Sequence, residues 1–273
     1  MKYSVWSCYL WEMSPEEQIK TFLEYGFTAA ELSDEDGFVL LDRGNGVKAG
    51  AELKNFADDR GFSYPQGHLW LGANLLGDDY MQTVDRLKTW LDMYQALDIR
   101  AAVLHTGQND ALSAEEIADR RCKALTELTD HIKGTDITIC LENLCNDLQH
   151  SDDLLSLIER VGSTHLGVCL DTGHLHLCPG ESQYEFIKNC GSKLKALHIA
   201  DNQGQTDQHL MPYGKGNVNW DQVIQGLAEV DYKGLFNLEI PGENRCPLEV
   251  KLMKLRYVRE VCEYMTGRIE AEK

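Results

Sequence analysis

At 273 residues with 43% hydrophobic side chains, the chain is large enough to bury the core of a single barrel-sized domain. Its 44 Asp and Glu against 26 Lys and Arg give a formal net charge of -18, a surface that repels polyanions and weighs against a nucleic-acid partner. No apolar run approaches the roughly 20 residues that a helix needs to cross a bilayer, so a membrane span is excluded on length.

Taken in chain order, the first element is the strand YSVWSCYL from Tyr3. The helix SPEEQIKTFLEYG follows, with Ser14 as N-cap, Pro15 at the first helical position, Glu17 closing a capping box and Gly26 ending it. FTAAELS from Phe27, FSYPQGHLW from Phe62 and AAVLHTG from Ala101 read as the next three strands. The helix grammar recurs from Ser113 to Gly134, ITICLEN from Ile137 is a fifth strand, and a further helix runs from Ser151 to Gly162. LGVCLDTGH from Leu166, LKALHIAD from Leu194 and LFNLEIP from Leu235 complete eight strands.

Eight strand-helix steps of about 34 residues each match a (β/α)8 barrel. The expected fold class is α/β, a single TIM barrel domain over residues 1–273. An open doubly wound sheet is the alternative, but its phosphate-binding fingerprint is missing: Gly214 and Gly216 give only GxG, in a loop. The nine cysteines form no CxxC pair, and the opening MKYSVWSCYLWEM lacks a basic-then-apolar leader pattern. Reduced thiols and a soluble, cytoplasmic protein are expected.

Barrel enzymes build their sites at the C-terminal ends of the strands, and there this sequence concentrates polar residues able to bind a metal. His68 follows strand three and His105 ends strand four; Glu142, Asp171 with His174, His198 and Glu239 end strands five to eight. Any one of them alone reads as a packing residue or a helix cap. Together, carboxylates converging on one mouth repel each other unless a cation or shared protons compensate. Glu142, Asp171 and Glu239 with neutral His198 suit Mn2+, Mg2+ or Co2+, and the imidazole also admits Zn2+ or Fe2+. Asp207 and His209 form a DxH element in the loop after strand seven, where alternate residues of an extended stretch point the same way.

The motifs ICLEN, GVCLDTGHLHL, HIADNQGQTDQHL with GKGNVNW, and LEIPGE resemble those of the xylose isomerase-like barrels, which include sugar phosphate isomerases and epimerases and endonuclease IV. The resemblance covers essentially the whole chain. It implies a divalent metal on Glu142, Asp171, His198 and Glu239. In the ketose 3-epimerase branch it also implies that the two glutamates serve as acid and base, with the residue matching His174 contacting the sugar. The endonuclease branch instead binds three zinc ions, and His68, His105, Glu142, Asp171, His174, His198, Asp207, His209 and Glu239 supply its whole ligand set.

The 3-epimerases carry an arginine shortly after the strand-seven histidine, whereas this sequence reads DNQGQTDQH, which puts a free ketohexose in doubt. Acidic charge and the lack of basic clusters in the strand-end loops stand against DNA. Trp6, Trp11 and Trp70 flank early strand ends and are candidates to stack on a sugar ring, and Arg245 is a candidate for a substrate phosphate or carboxylate. The expected activity is isomerisation or epimerisation of a small sugar or related polyol ketone. Proton transfer would run through a metal-stabilised enediolate, with Glu142 and Glu239 exchanging the proton. The alternative is an endonuclease IV-like enzyme with up to three zinc ions that hydrolyses phosphodiesters at abasic DNA. The expected partner is a small-molecule sugar, and a homo-oligomer is left open.

Overall fold

The structure, a computed structural model, describes residues 1–241 and 246–273. Its strands are β1 (Tyr3–Val5), β2 (Ala29–Leu32), β3 (Ser63–His68), β4 (Ala101–Leu104), β5 (Thr138–Glu142), β6 (Leu166–Asp171), β7 (Leu194–His198) and β8 (Phe236–Leu238). Strands β2 to β7 form one sheet in chain order, all parallel, and β1 pairs in parallel with β8. Bridges from Trp6 to Glu31 and from Ile199 to Leu238 join the two sheets at both seams and close the barrel. An order without reversal has no topological switch point, which removes the doubly wound alternative.

Around the strands run α1 (Pro15–Glu24), α2 (Asp34–Leu41), α3 (Gly46–Asp58), α4 (Tyr80–Leu97), α5 (Ala114–His131), α6 (Ser151–Val161), α7 (Thr172–Leu177), α8 (Gln183–Cys190), α9 (Trp220–Glu229) and α10 (Leu248–Ala271). Among the described residues no helix is long and apolar enough to cross a membrane. Capping boxes at Ser14 with Glu17 and at Ser113 with Glu116 start α1 and α5 where the sequence places them. The start of α6 differs by one residue. His150 is the N-cap, its N–H donating to Asp153, while Ser151 lies inside the helix and its side chain bonds Glu181.

All eight strands are shorter than their sequence runs, and two of them show why. YSVWSCYL leaves the sheet after Val5 and winds into a 3-10 turn over Ser7–Leu10, pinned where the buried Ser7 hydroxyl donates to Asp36 at 2.5 Å. LGVCLDTGH turns helical straight after Asp171, whose carboxylate accepts the His174 N–H at 2.6 Å and caps α7.

Side chains alternate between the two faces of each strand. Leu104, Leu141, Val168, Leu170 and Leu197 point outward into the main core under the helices, whereas Val103, Cys140, Cys169 and Ala196 form a separate small cluster on the inner face. His105, Glu142, Asp171 and His198 each stand two residues beyond one of these small inner residues, so they project into the barrel mouth. Across the sheet Asp171 is in register with His198 and Glu142 with Cys169.

Gly37 shows how tightly the outer shell is packed: a Cβ there would sit 2.1 Å from Trp90 Cζ3, where α2 crosses α4. Gly37→Ala is therefore expected to destabilise the fold by about 1–3 kcal/mol, the usual cost of overpacking. A lower urea midpoint would show this, and an unchanged midpoint would refute the packing described.

Candidate metal centre

His68, Glu142, Asp171 and His198 are the last residues of β3, β5, β6 and β7, and His105 and Glu239 follow β4 and β8 by one residue. His174 comes from the first turn of α7. Asp207 and His209 come from the loop after β7, which is held by reciprocal backbone hydrogen bonds between Asp201 and Leu210 at 2.7 and 2.9 Å. The buried Asp201 carboxylate organises the rest of that loop, accepting from the Val218 N–H at 3.0 Å and the Trp220 indole at 3.2 Å. Gly216 has no room for a side chain, because its Cβ would lie 2.1 Å from Asp201 Oδ1.

The nine sequence-predicted donors sort into three groups whose ligand atoms lie within 4.8 Å of one another: His68, His105 and Glu142; Glu142, Asp171, His198 and Glu239; and His174, Asp207 and His209. Glu142 belongs to two of them. Its Oε2 lies 2.9 Å from His105 Nε2, 3.2 Å from His198 Nδ1 and 3.5 Å from His68 Nε2. Its Oε1 lies 3.2 Å from His174 Nδ1. Glu239 Oε2 approaches the same His198 Nδ1 at 3.2 Å, and Asp207 Oδ2 sits 3.3 Å from His174 Nε2 and 3.0 Å from His209 Nε2. The Cys169 thiol lies just below, within the same reach of Glu142 and His198.

Four of the imidazoles are oriented from behind. His68 Nδ1 meets the Leu69 carbonyl at 2.6 Å, His174 Nδ1 the Asn143 carbonyl at 3.1 Å, His209 Nδ1 the Glu239 carbonyl at 2.8 Å and His198 Nε2 the Glu31 carboxylate at 3.0 Å. In each ring the other nitrogen faces the carboxylates, as in metal sites whose outer partners fix the ligand orientation.

Whether these residues fit a cation can be judged from the buried atoms they leave unused. His68 Nε2, His198 Nδ1, Asp171 Oδ2 and Glu239 Oε2 are buried without a hydrogen-bond partner, although His198 Nδ1 and Glu239 Oε2 are close. Close approach without hydrogen-bond geometry leaves their lone pairs free for a shared ion, so the donor set fits a divalent metal. Three carboxylates and one imidazole suit Mn2+, Mg2+ or Co2+, while the two imidazole-rich groups suit Zn2+.

The buried carboxyls and imidazoles shift one another's proton affinity. Burial alone would raise the Glu142 carboxyl, but His198 and His105 hold it well below the usual range, and against burial His198 holds Glu239 down to about 2. Burial pushes Asp171 up to about 6. Burial opposes charge on His198, while Cys169, Glu239, Glu31 and Glu142 drive it well above its usual value. Since burial also keeps the Cys169 thiol neutral, the carboxylates carry that effect. His209 is only partly buried, and Asp207, Glu239 and Asp171 push it up to about 10 against that burial.

Two positioning residues escape the sequence reading. Glu31 on β2 is 1% exposed and anchors both His198 and Asn237, and only its place at the end of the run FTAAEL hints at this. Asn143 clamps the backbone of Asp171 from both sides at 2.7 and 3.0 Å. Of the aromatic candidates, Trp6 lies at the β1 seam with a buried, unpartnered indole N–H. Trp11 is half exposed. Trp70 is occupied by its neighbours, with Arg86 4.2 Å over its ring and Phe38 on its edge. Arg245 falls in 242–245, outside the described residues. A cavity of about 430 Å³ opens beside His209, lined by Leu210, Met211, Ile240, Tyr257 and Lys215.

A metal must displace the imidazole protons, because histidine ligates through a neutral ring nitrogen. Metal uptake at neutral pH is therefore expected to release protons, and affinity is expected to rise with pH above neutrality, because His198 is held protonated well above its usual range. Titration calorimetry in buffers of different ionisation enthalpy measures this, and a heat independent of buffer would contradict it.

Residues 19–265 match the family described as xylose isomerase-like TIM barrel. An uncharacterized protein of Methanocaldococcus jannaschii is 28% identical over 165 residues, which cover 58% of this chain and 56% of that protein, so the chain spans little more than half of that relative's length. D-psicose 3-epimerase of Enterocloster bolteae is 24% identical over 259 residues, 88% of this chain and 82% of that one. A probable endonuclease 4 of Mycoplasmopsis synoviae is 25% identical over 167 residues, 56% of this chain and 60% of its own. Among solved structures, a D-tagatose 3-epimerase-like protein superposes with a TM-score of 0.80 at 21% identity, covering 100% of this chain and 99% of that one, a likeness of fold. With most of its length matched to the family model, this chain belongs to the xylose isomerase-like TIM barrel family.

Proposed function

We propose that this chain is a divalent-metal-dependent isomerase or epimerase of a small sugar or related polyol ketone. The observation that carries the reading is the pair Glu142 and Glu239, 2% and 6% exposed, both 3.2 Å from the same His198 nitrogen in a four-donor group. The similarity to a psicose 3-epimerase over most of both chains supports it.

A divalent ion held by Glu142, Asp171, His198 and Glu239 would supply Lewis-acid polarisation of a substrate carbonyl and its neighbouring hydroxyl. The chain's own part is proton transfer. His198 holds both carboxyls below the usual carboxylate range, so each is available as a proton acceptor. One takes the proton from the carbon beside the carbonyl and later releases it to solvent, while the other, after taking up a proton from solvent, gives it to that carbon, from the opposite face for epimerisation. Glu31 keeps His198 in the tautomer that leaves Nδ1 toward the carboxylates. Asn143 keeps Asp171 in place. The Trp6 indole N–H is the proposed donor to a substrate oxygen. The segment DNQGQTDQH presents no arginine to the substrate, which favours a ketone other than a free ketohexose.

A second reading has its own observation. The group His174, Asp207 and His209 and the group His68, His105 and Glu142 go beyond what a single ion requires. A three-metal phosphodiesterase acting at abasic sites would use all three.

Deuterium wash-in from solvent across a panel of ketoses, keto acids and inosose-like compounds tests the lead reading. Exchange at one carbon beside the carbonyl is expected in at least one compound, and Glu239→Gln or Glu142→Gln should lower it by on the order of 10²–10⁴-fold. No exchange in any compound, together with cleavage of a duplex carrying one abasic site, would replace this reading with the hydrolytic one.

A further inference from the structure

Nine cysteines are an unusual load for a chain whose proposed chemistry uses none of them. Most lie apart from one another. Cys145 and Cys178, however, are in contact: the Cys178 thiol donates to the Cys145 sulfur at 3.4 Å, and among the described residues no other thiol is hydrogen-bonded to a second thiol. Cys145 lies in the loop between β5 and α6 and is exposed, and Cys178 is the buried C-cap of α7. The Cys145 thiol also donates to the His174 carbonyl at 3.6 Å, so the loop already rests against the first turn of α7.

We propose that Cys145 and Cys178 form a reversible disulfide site at the rim of the candidate metal centre, closed by an oxidant of the peroxide class and opened by a dithiol. Closing a disulfide brings the sulfurs to about 2.05 Å, so the pair needs to approach by little more than an ångström. Loop and helix end supply that movement without disturbing a strand.

The chemistry follows from access. The exposed Cys145 sulfur attacks the peroxide; an S–O bond forms, the O–O bond breaks, and the departing oxygen takes up a proton and leaves as water. The Cys178 sulfur then attacks the Cys145 sulfur; the S–S bond forms, the S–O bond breaks, and a second water leaves. Two thiols are oxidised by two electrons and one peroxide is reduced. A dithiol reverses the step by thiol–disulfide exchange.

The position of the pair gives the bond a consequence. Cys145 follows Glu142 by three residues, and Cys178 follows His174 by four. The crosslink thus ties the segment carrying the shared carboxylate to the helix carrying a donor of another group, and it removes the thiol that bonds the His174 carbonyl. Disturbing what holds a metal's ligands in place changes affinity by roughly 10–100-fold, and closure, which moves the segments carrying Glu142 and His174, is expected to weaken Mn2+ binding by about tenfold, the low end of that range.

Limited hydrogen peroxide treatment of the reduced, metal-free protein, followed by desalting, tests the site. Expected are the loss of two of the nine titratable thiols, a non-reducing digest containing one peptide pair that joins Cys145 to Cys178, and recovery of both thiols with dithiothreitol. Cys145→Ser should abolish the crosslink, and Cys178→Ser should give the same result independently. Calorimetric titration of Mn2+ into the oxidised and reduced forms reads the coupling. Oxygen adducts without a crosslink, a pair joining other cysteines, or two-thiol loss persisting in Cys145→Ser would overturn the site. Equal Mn2+ affinity in both forms would overturn the coupling.

Discussion

Three carboxylates buried at one end of a barrel, Glu142, Asp171 and Glu239, repel one another in a medium that screens poorly, and every nearby feature of the mouth manages that repulsion. Imidazoles surround Glu142 on both oxygens. Protonated, they balance the charge without a metal. Neutral, they would be free to act as ligands to a metal. On the proposed reading the site trades protons for a cation, and the backbone carbonyls and Glu31 that hold four rings from behind keep their free nitrogens in place for either state.

The fold serves this arrangement in specific ways. Small inner residues, Cys140, Cys169 and Ala196, lie one step below Glu142, Asp171 and His198 and leave room for their side chains to converge. Asp171 does two tasks with its two oxygens: Oδ1 caps α7 through the His174 N–H, and Oδ2 stays buried without a hydrogen-bond partner. The cap also sets where His174 stands, so one carboxylate couples two donor groups. Asp201 plays the corresponding part for the loop that brings in Asp207 and His209.

Much of this is legible in the sequence, because an apolar run that stops at a charged residue marks the inner end of a barrel strand. ICLE, VCLD and ALH give Glu142, Asp171 and His198 directly. Glu31 is less visible. It ends a similar run, but it precedes Ser33, Asp34, Glu35 and Asp36 and so reads as part of an acidic helix start. Asn143 and Asp201 carry no signal, since their work is hydrogen bonding to backbone brought near by folding. Sequence spacing likewise puts nine donors at one mouth without dividing them. The division into three groups depends on which ring nitrogen is tied back, and Trp70 shows the same limit, because its packing under Arg86 depends on α4.

The central claim is that the strand-end donors hold a divalent ion, with Glu142, Asp171, His198 and Glu239 as its primary ligands. Anomalous diffraction from crystals of the Mn2+-loaded protein, collected above and below the manganese edge, tests it most directly. A peak within bonding distance of those four side chains is expected, and a second or third peak at His68 with His105 or at His174 with His209 would count the ions. Loaded crystals with no peak among the four residues would contradict the claim.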